Sequence, residues 1–241
     1  MDGTQLEALN GMEKQRLYQA AEMLLEARRT LQPMDELPPG LRPKTLEEAY
    51  FIQDVILQAL GKAGGWKVGA PAPDATPVYA PMPSIGIATS GDRIARQYRR
   101  MRGVEAEIAF LLGKDLPPRA APYSREELVN AIASCHPAIE LLESGLLDPE
   151  TADRLTAIAD LQSNGGFVAG LPISGWEEFN FENESADAFG WLCARRKREK
   201  RRRSGPPATG FVVGQRSAKP YRRFVSRAMD HNRKLDGQDP G

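Results

Sequence analysis

Gly103-Val-Glu-Ala-Glu-Ile-Ala-Phe-Leu-Leu-Gly113 is the stretch from which the fold is read. It opens with strict apolar/acidic alternation, the period of a β-strand, and a glycine bounds it at each end. Residues two apart in a strand share a face, so Val104, Ala106, Ile108 and Phe110 lie on one side and Glu105 and Glu107 project together from the other. Two carboxylates on a short apolar strand are costly to bury unless a cation neutralises them. On a solvent-facing strand they are ordinary glutamates, the commoner situation. Glu140 shifts the balance: it ends His136-Pro-Ala-Ile-Glu140, inside a second apolar strand-like run. Three carboxylates without a histidine partner suit a hard cation, Mg²⁺ or Mn²⁺, with water or substrate in the remaining positions.

Outward from that strand, Lys67 stands in Gly64-Gly-Trp-Lys-Val-Gly69. There it is either a general acid or base tuned by burial and nearby carboxylates, or an exposed strand lysine. Leu17, Ala20, Ala21, Leu24, Leu25 and Ala27 recur at helical spacing and predict a helix over about 12–31. Thr45 with Glu48 forms a capping box, and Ala49, Ile52, Ile56 and Leu60 continue a stripe to Gly61, giving a second helix over about 45–60. Trp66-Lys67-Val68 and Val78-Tyr79-Ala80 read as short strands in a Gly/Pro-rich region. Ser124 with Glu127 opens a helix to about Cys135, Ala138 to Leu142 is a strand, and a turn and strand follow from Asp160 to Gly170. Helices mixed with short strands, without a repeating βαβ pattern, define an α+β domain.

The 241 residues suffice for one large domain or two small ones. Basic and acidic residues number 32 each, but residues 1–182 hold 17 basic and 26 acidic side chains and 183–241 hold 15 and 6. The first part, at −9, argues against nucleic-acid binding. No apolar run long enough to span a bilayer and no signal-peptide core is present, so the expectation is a cytoplasmic protein without a membrane partner. Two cysteines and two histidines exclude a Cys-rich zinc site, a disulfide framework and a three-histidine metal site. The second part, with its basic block Arg195 to Arg203, reads as a disordered basic tail; the expected division is therefore a catalytic domain over 1–182 and a tail over 183–241.

Taken together, the motifs resemble the fumarylacetoacetate hydrolase superfamily, in its 2-oxopent-4-enoate (2-keto-4-pentenoate) hydratase branch. The similar stretches are Ala20-Ala-Glu-Met-Leu-Leu-Glu-Ala-Arg-Arg29, Glu48-Ala-Tyr-Phe-Ile-Gln53, Gly65-Trp-Lys-Val-Gly69, Val104-Glu-Ala-Glu-Ile-Ala-Phe110, Pro137-Ala-Ile-Glu140, and Ile158-Ala-Asp160 with Ser163. The resemblance implies a mixed β-roll around a helix with N-terminal helices outside it, and a homo-oligomer. It implies Glu105, Glu107 and Glu140 as Mg²⁺ or Mn²⁺ ligands, and Lys67, Ser163 and Asp160 as catalytic residues. The implied reaction is hydration of 2-hydroxypenta-2,4-dienoate to 4-hydroxy-2-oxopentanoate, a step of aromatic catabolism on a small dienoic acid. One departure bears on water addition rather than metal binding. The family's acid in a piece like Asp-Phe-Gly-Pro-Leu is replaced here by Val78-Tyr-Ala-Pro-Met82, with Asp74 four residues upstream. A 2-oxo-3-enedioate (4-oxalocrotonate) decarboxylase and an acylpyruvate hydrolase are the alternatives on the same scaffold.

The closing segment lacks the Trp-Leu-Ala-Asn helix and Thr-Gly-Ser turn that the resemblance implies. A shifted reading frame permits both. Met229 followed by Asp230 forces a shifted TGG codon, tryptophan, and Ser226 to Gly241 permits A-G-Q-W-I-T-T-G-S-W-T-G-K-T-P. In the same frame, Gly210-Phe-Val-Val-Gly-Gln-Arg216 permits A-L-W-L-A-N. The expectation is a change of coding frame between about residues 180 and 193, with the native tail replaced. The contrasting expectations are an inactive truncated product and a basic-tailed interaction protein.

Overall fold

The computed structural model describes residues 11–70, 75–94, 100–101, 103–179 and 211–214. Helix α1, Gly11–Thr30, buries Leu17, Ala20, Ala21, Leu24 and Ala27, the stripe its periodicity predicts. Helix α2, Leu46–Leu60, starts where the Thr45 hydroxyl accepts from the Glu48 amide and stops at Gly61, whose φ of 119° suits glycine and whose N–H reaches the Leu57 carbonyl. Only half of the expected capping box forms. The Glu48 carboxylate accepts instead from the Lys44 amide and pairs with Arg16 at 2.6 Å, tying α2 to α1.

Strands β1 (Ala63–Gly69) and β2 (Val78–Pro83) form an antiparallel pair, followed by β3 (Ile87–Thr89), β4 (Val104–Leu112), helix α3 (Arg125–Ala131), β5 (Ile132–Leu142), helix α4 (Arg154–Ala159), β6 (Asn164–Ala169) and β7 (Phe211–Gly214). They build one mixed seven-stranded sheet in the order β2-β1-β7-β4-β5-β6-β3, with β1–β7 and β3–β6 parallel and the other pairs antiparallel. The class is the expected α+β.

The principal core lies between α1, α2, α4 and β2, where Tyr50 and Tyr79 stack with ring centroids 4.2 Å apart. Fully burying a side chain such as Ile52 or Ile56 is worth about 1.5–3 kcal/mol. Gln53 is buried among them because its amide donates to the carbonyls of Ile158, at 2.6 Å, and Tyr79, at 3.1 Å, which fastens the end of α4 to the sheet.

Two boundaries differ from expectation. Helix α3 stops at Ala131 instead of near Cys135, and β5 begins at Ile132. Nothing in the sequence stops the helix there; the ladder to β4 does, with Leu112 opposite Ile132 and Phe110 opposite Cys135, and its backbone bonds replace a last helical turn. The second difference is in the expected disordered tail. Phe211–Gly214 forms β7, inserted between β1 and β4, because the tail holds one short β-branched and aromatic run. The remainder of 183–241, including the Arg195 to Arg203 block, lies outside the described residues, as does Asp74. No helix among the described residues is long and apolar enough to cross a membrane.

Candidate active site

The orientation of β4 decides what its glutamates do. Glu107 and Ala109 are buried at 4% and 0% exposure, and Ala109 belongs to a second apolar cluster with Met82, Ala138, Phe167 and Ala169. Residues 105, 107 and 109 share a face, so the acidic face of β4 is the inward one and the solvent-facing alternative does not hold. Glu105 stands directly opposite Glu140 on β5, and Glu107 opposite Ala138, one pleat along. One carboxylate oxygen from each of Glu105, Glu107 and Glu140 lies within 4.8 Å of the other two.

Lys67 is fully buried on β1 and reaches the same place. Its Nζ lies 2.7 Å from Glu140 Oε2 and donates to the Gln162 carbonyl at 3.1 Å. The exposed-strand alternative for this lysine is therefore excluded, while its neighbour Trp66 is 43% exposed on the opposite face. Asn164, also buried, donates from Nδ2 to Glu140 Oε1 at 2.8 Å. Both oxygens of Glu140 thus have fixed directions.

Burial first, then the neighbouring Glu140 charge, pushes the Glu107 carboxyl well above the usual carboxylate range, and Lys67 opposes the shift. Burial likewise raises Glu140, with the Lys67 ammonium pulling it down. Three carboxylates facing one ammonium leave a surplus of negative charge in a dry place, and Glu107 Oε2 has no hydrogen-bond partner among the described residues. A hard divalent cation would supply the missing charge and the missing partner, and the all-oxygen donor set fits such an ion.

Asp160, grouped with Lys67 and Ser163 from the sequence, is not brought to the triad. Its buried carboxylate accepts from Arg28 Nε at 2.5 Å, from the Ser144 hydroxyl at 2.5 Å and from the Gly145 amide at 2.8 Å. That carboxylate is saturated by structural partners and holds a turn. Leu161, Gln162 and Ser163 follow with φ of 53°, 48° and 60°, a left-handed run of three non-glycine residues. Each costs roughly 1–2 kcal/mol, which the surrounding bonds must offset. The run turns the Gln162 carbonyl towards Lys67 and leaves Ser163 half-buried beside Asn164.

Sequence reasoning missed Gln162, Asn164 and Arg28. Gln162 acts through its carbonyl, which carries no side-chain signature. Asn164 is a polar residue at the start of a run that becomes apolar strand. Arg28 falls four residues after Leu24, where the buried stripe of α1 would continue, and a charge at such a position is the available signal.

No family model matches the chain. It is 32% identical over 167 residues to a TodF product hydratase of Pseudomonas putida (strain F1), covering 63% of this chain and 59% of the relative. It is 28% identical over 179 residues to a 2-keto-4-pentenoate hydratase of Paraburkholderia xenovorans (strain LB400), covering 68% of this chain and 64% of the relative. The chain thus spans about three-fifths of the length of the curated relatives it matches. Among solved structures it is similar to 4-oxalocrotonate decarboxylase from Pseudomonas putida G7 complexed with magnesium and adipate, with a TM-score of 0.62, 20% identity, and 83% and 87% of the two chains covered. The same protein complexed with calcium and acetate gives a TM-score of 0.60 at 19% identity. The resemblance to hydratases read from the motifs is borne out by these relatives, and the fold is like that of the 4-oxalocrotonate decarboxylase structure.

Proposed function

We propose that this chain carries the site of a divalent-metal-dependent hydro-lyase that adds water to 2-hydroxypenta-2,4-dienoate, giving 4-hydroxy-2-oxopentanoate. The observation that carries the reading is the convergence of Glu105, Glu107 and Glu140 around a buried Lys67. The relatives' names, TodF product hydratase and 2-keto-4-pentenoate hydratase, supply the reaction class.

Glu105, Glu107 and Glu140 would hold Mg²⁺ or Mn²⁺. Held there, such a cation would supply Lewis-acid stabilisation of negative charge developing on the substrate's 2-oxo acid end. Lys67 Nζ is the group placed to pass protons. In the balanced reaction the 2-hydroxyl loses a proton and C5 gains one, leaving a 2-oxo-3-ene; water then adds at C4 and C3 takes a proton. The Gln162 carbonyl and Glu140 hold Nζ on the triad's side, which keeps its proton available at one point instead of several. Ser163, next to Asn164, is the candidate for positioning substrate or water. Burial of Glu107, Glu140 and Lys67 keeps bulk water from competing with the bound substrate.

A second reading is favoured by one observation. Val78 begins β2 where the resembling hydratases carry an acid, and a site without that acid suits loss of CO₂ from a 2-oxo-3-enedioate better than water activation. One assay separates the two: the purified chain with Mg²⁺ is given each substrate, and product acid and CO₂ are measured. Formation of 4-hydroxy-2-oxopentanoate supports hydration. CO₂ release without hydration product replaces it with the decarboxylase.

A further inference from the structure

Arg28, on α1, touches none of the triad carboxylates, yet its guanidinium grips both ends of the loop that serves them. Nε and Nη2 donate to Asp160, to Oδ1 at 2.5 Å and to the carbonyl at 2.7 Å, and Nη1 donates to the Asn164 carbonyl at 2.9 Å. Between these anchors lies the left-handed run 161–163. Two atoms of the gripped segment reach the site: the Gln162 carbonyl, on Lys67 Nζ, and Asn164 Nδ2, on Glu140 Oε1.

The geometry points to Arg28 as a positioning residue of the metal site, acting through the 160–164 loop. A planar fork is needed because three acceptors in different directions, at both ends of a strained loop, must be held by one side chain. Lysine offers one compact ammonium and cannot span them. With the fork lost, the left-handed run relaxes, Asn164 withdraws from Glu140, and the carboxylate that faces both Lys67 and the cation loses its fixed direction. Groups that orient a ligand in this way are commonly worth 10–100-fold in metal affinity. The inference rests on the metal reading proposed above.

The test uses the full chain and Mn²⁺ alone, with free ion followed by electron paramagnetic resonance and thermal stability measured alongside. Arg28→Lys is compared with Leu17→Ala, which loosens the buried face of the same helix without touching the fork. The expected result is Mn²⁺ affinity at least 10-fold weaker in Arg28→Lys and within twofold of wild type in Leu17→Ala. Asn164→Ala is expected to weaken Mn²⁺ similarly, and the double variant Arg28→Lys/Asn164→Ala to add less than threefold more, since of the two loop atoms that reach the site only Asn164 Nδ2 is bonded to a carboxylate of the triad. An Arg28→Lys protein that binds Mn²⁺ like wild type overturns the inference and leaves the metal reading standing. So does a Leu17→Ala loss as large as that of Arg28→Lys, or full additivity in the double variant. A wild-type chain that binds no Mn²⁺ overturns both.

Discussion

Replacing Glu107 by glutamine is expected to stabilise the metal-free protein while destroying its response to metal. Glu107 is 4% exposed, and its nearer oxygen lies within 4.8 Å of oxygens from two other carboxylates. At that separation, with an effective dielectric constant of about 20, two ionised carboxylates repel by roughly 3.5 kcal/mol. The protein can escape by keeping Glu107 protonated, but for a carboxyl of ordinary value 4.5 that costs about 3.4 kcal/mol at pH 7. Lys67 relieves part of this burden, so glutamine should recover about 2 kcal/mol, a rise of roughly 4–8 °C in melting temperature for a chain of this size. Because the folded-state value of Glu107 is raised, the native carboxyl destabilises increasingly as pH climbs from 4.5, and the advantage of glutamine should fade near pH 5. Wild type should in turn gain about 2.7 kcal/mol from Mg²⁺ at 100 times its dissociation constant, and the variant almost none. Differential scanning calorimetry with EDTA and with Mg²⁺ reads both effects. A lower melting temperature for the metal-free variant, or an undiminished Mg²⁺ response, would refute the reasoning.

Lys67→Met leaves Glu140 buried without its ammonium, and chemical denaturation should show a loss of about 3–5 kcal/mol in EDTA, partly restored by Mg²⁺. Asp54 on α2 is pushed by burial from 3.8 up to about 6, so stability falls as pH rises through that interval; Asp54→Asn should be more stable than wild type by on the order of 1–2 kcal/mol at pH 7 and equal to it near pH 3.5, as thermal melts across pH will show. Gln53→Ala abandons one buried and one partly buried carbonyl and should cost about 2–3 kcal/mol in a urea titration, without shifting Mg²⁺ affinity. Sequencing the gene across codons 180 to 193 should show a gained or lost base, and restoring the frame should raise turnover of the dienoate; an intact frame there removes that account of the tail.

The elements whose period or caps are local were legible. Strand β4 was marked by alternation, α1 by its stripe, and α2 by Thr45 and Gly61. The end of α3 was not, since its limit is set by pairing with β4 and not by a breaker. The site was legible as a residue set because glutamates in apolar runs are conspicuous. Which face of β4 turned inward was not, because that depends on Ala109 packing against Met82, Ala138, Phe167 and Ala169 from other strands. The motif places Asp160 with the site residues, and its ion pair to Arg28 is invisible in the sequence because the two lie 132 residues apart in the chain. The tail was read from its charge, and four residues of β strand were hidden inside it.

Three glutamates from two adjacent strands are proposed to hold one divalent cation beside Lys67. Anomalous diffraction from a crystal of the chain soaked in Mn²⁺ tests it directly. The predicted result is a single strong peak roughly 2.0–2.3 Å from carboxylate oxygens of Glu105, Glu107 and Glu140, lost in Glu140→Gln. A peak coordinated elsewhere, or an empty triad in Mn²⁺-saturated crystals, would contradict it.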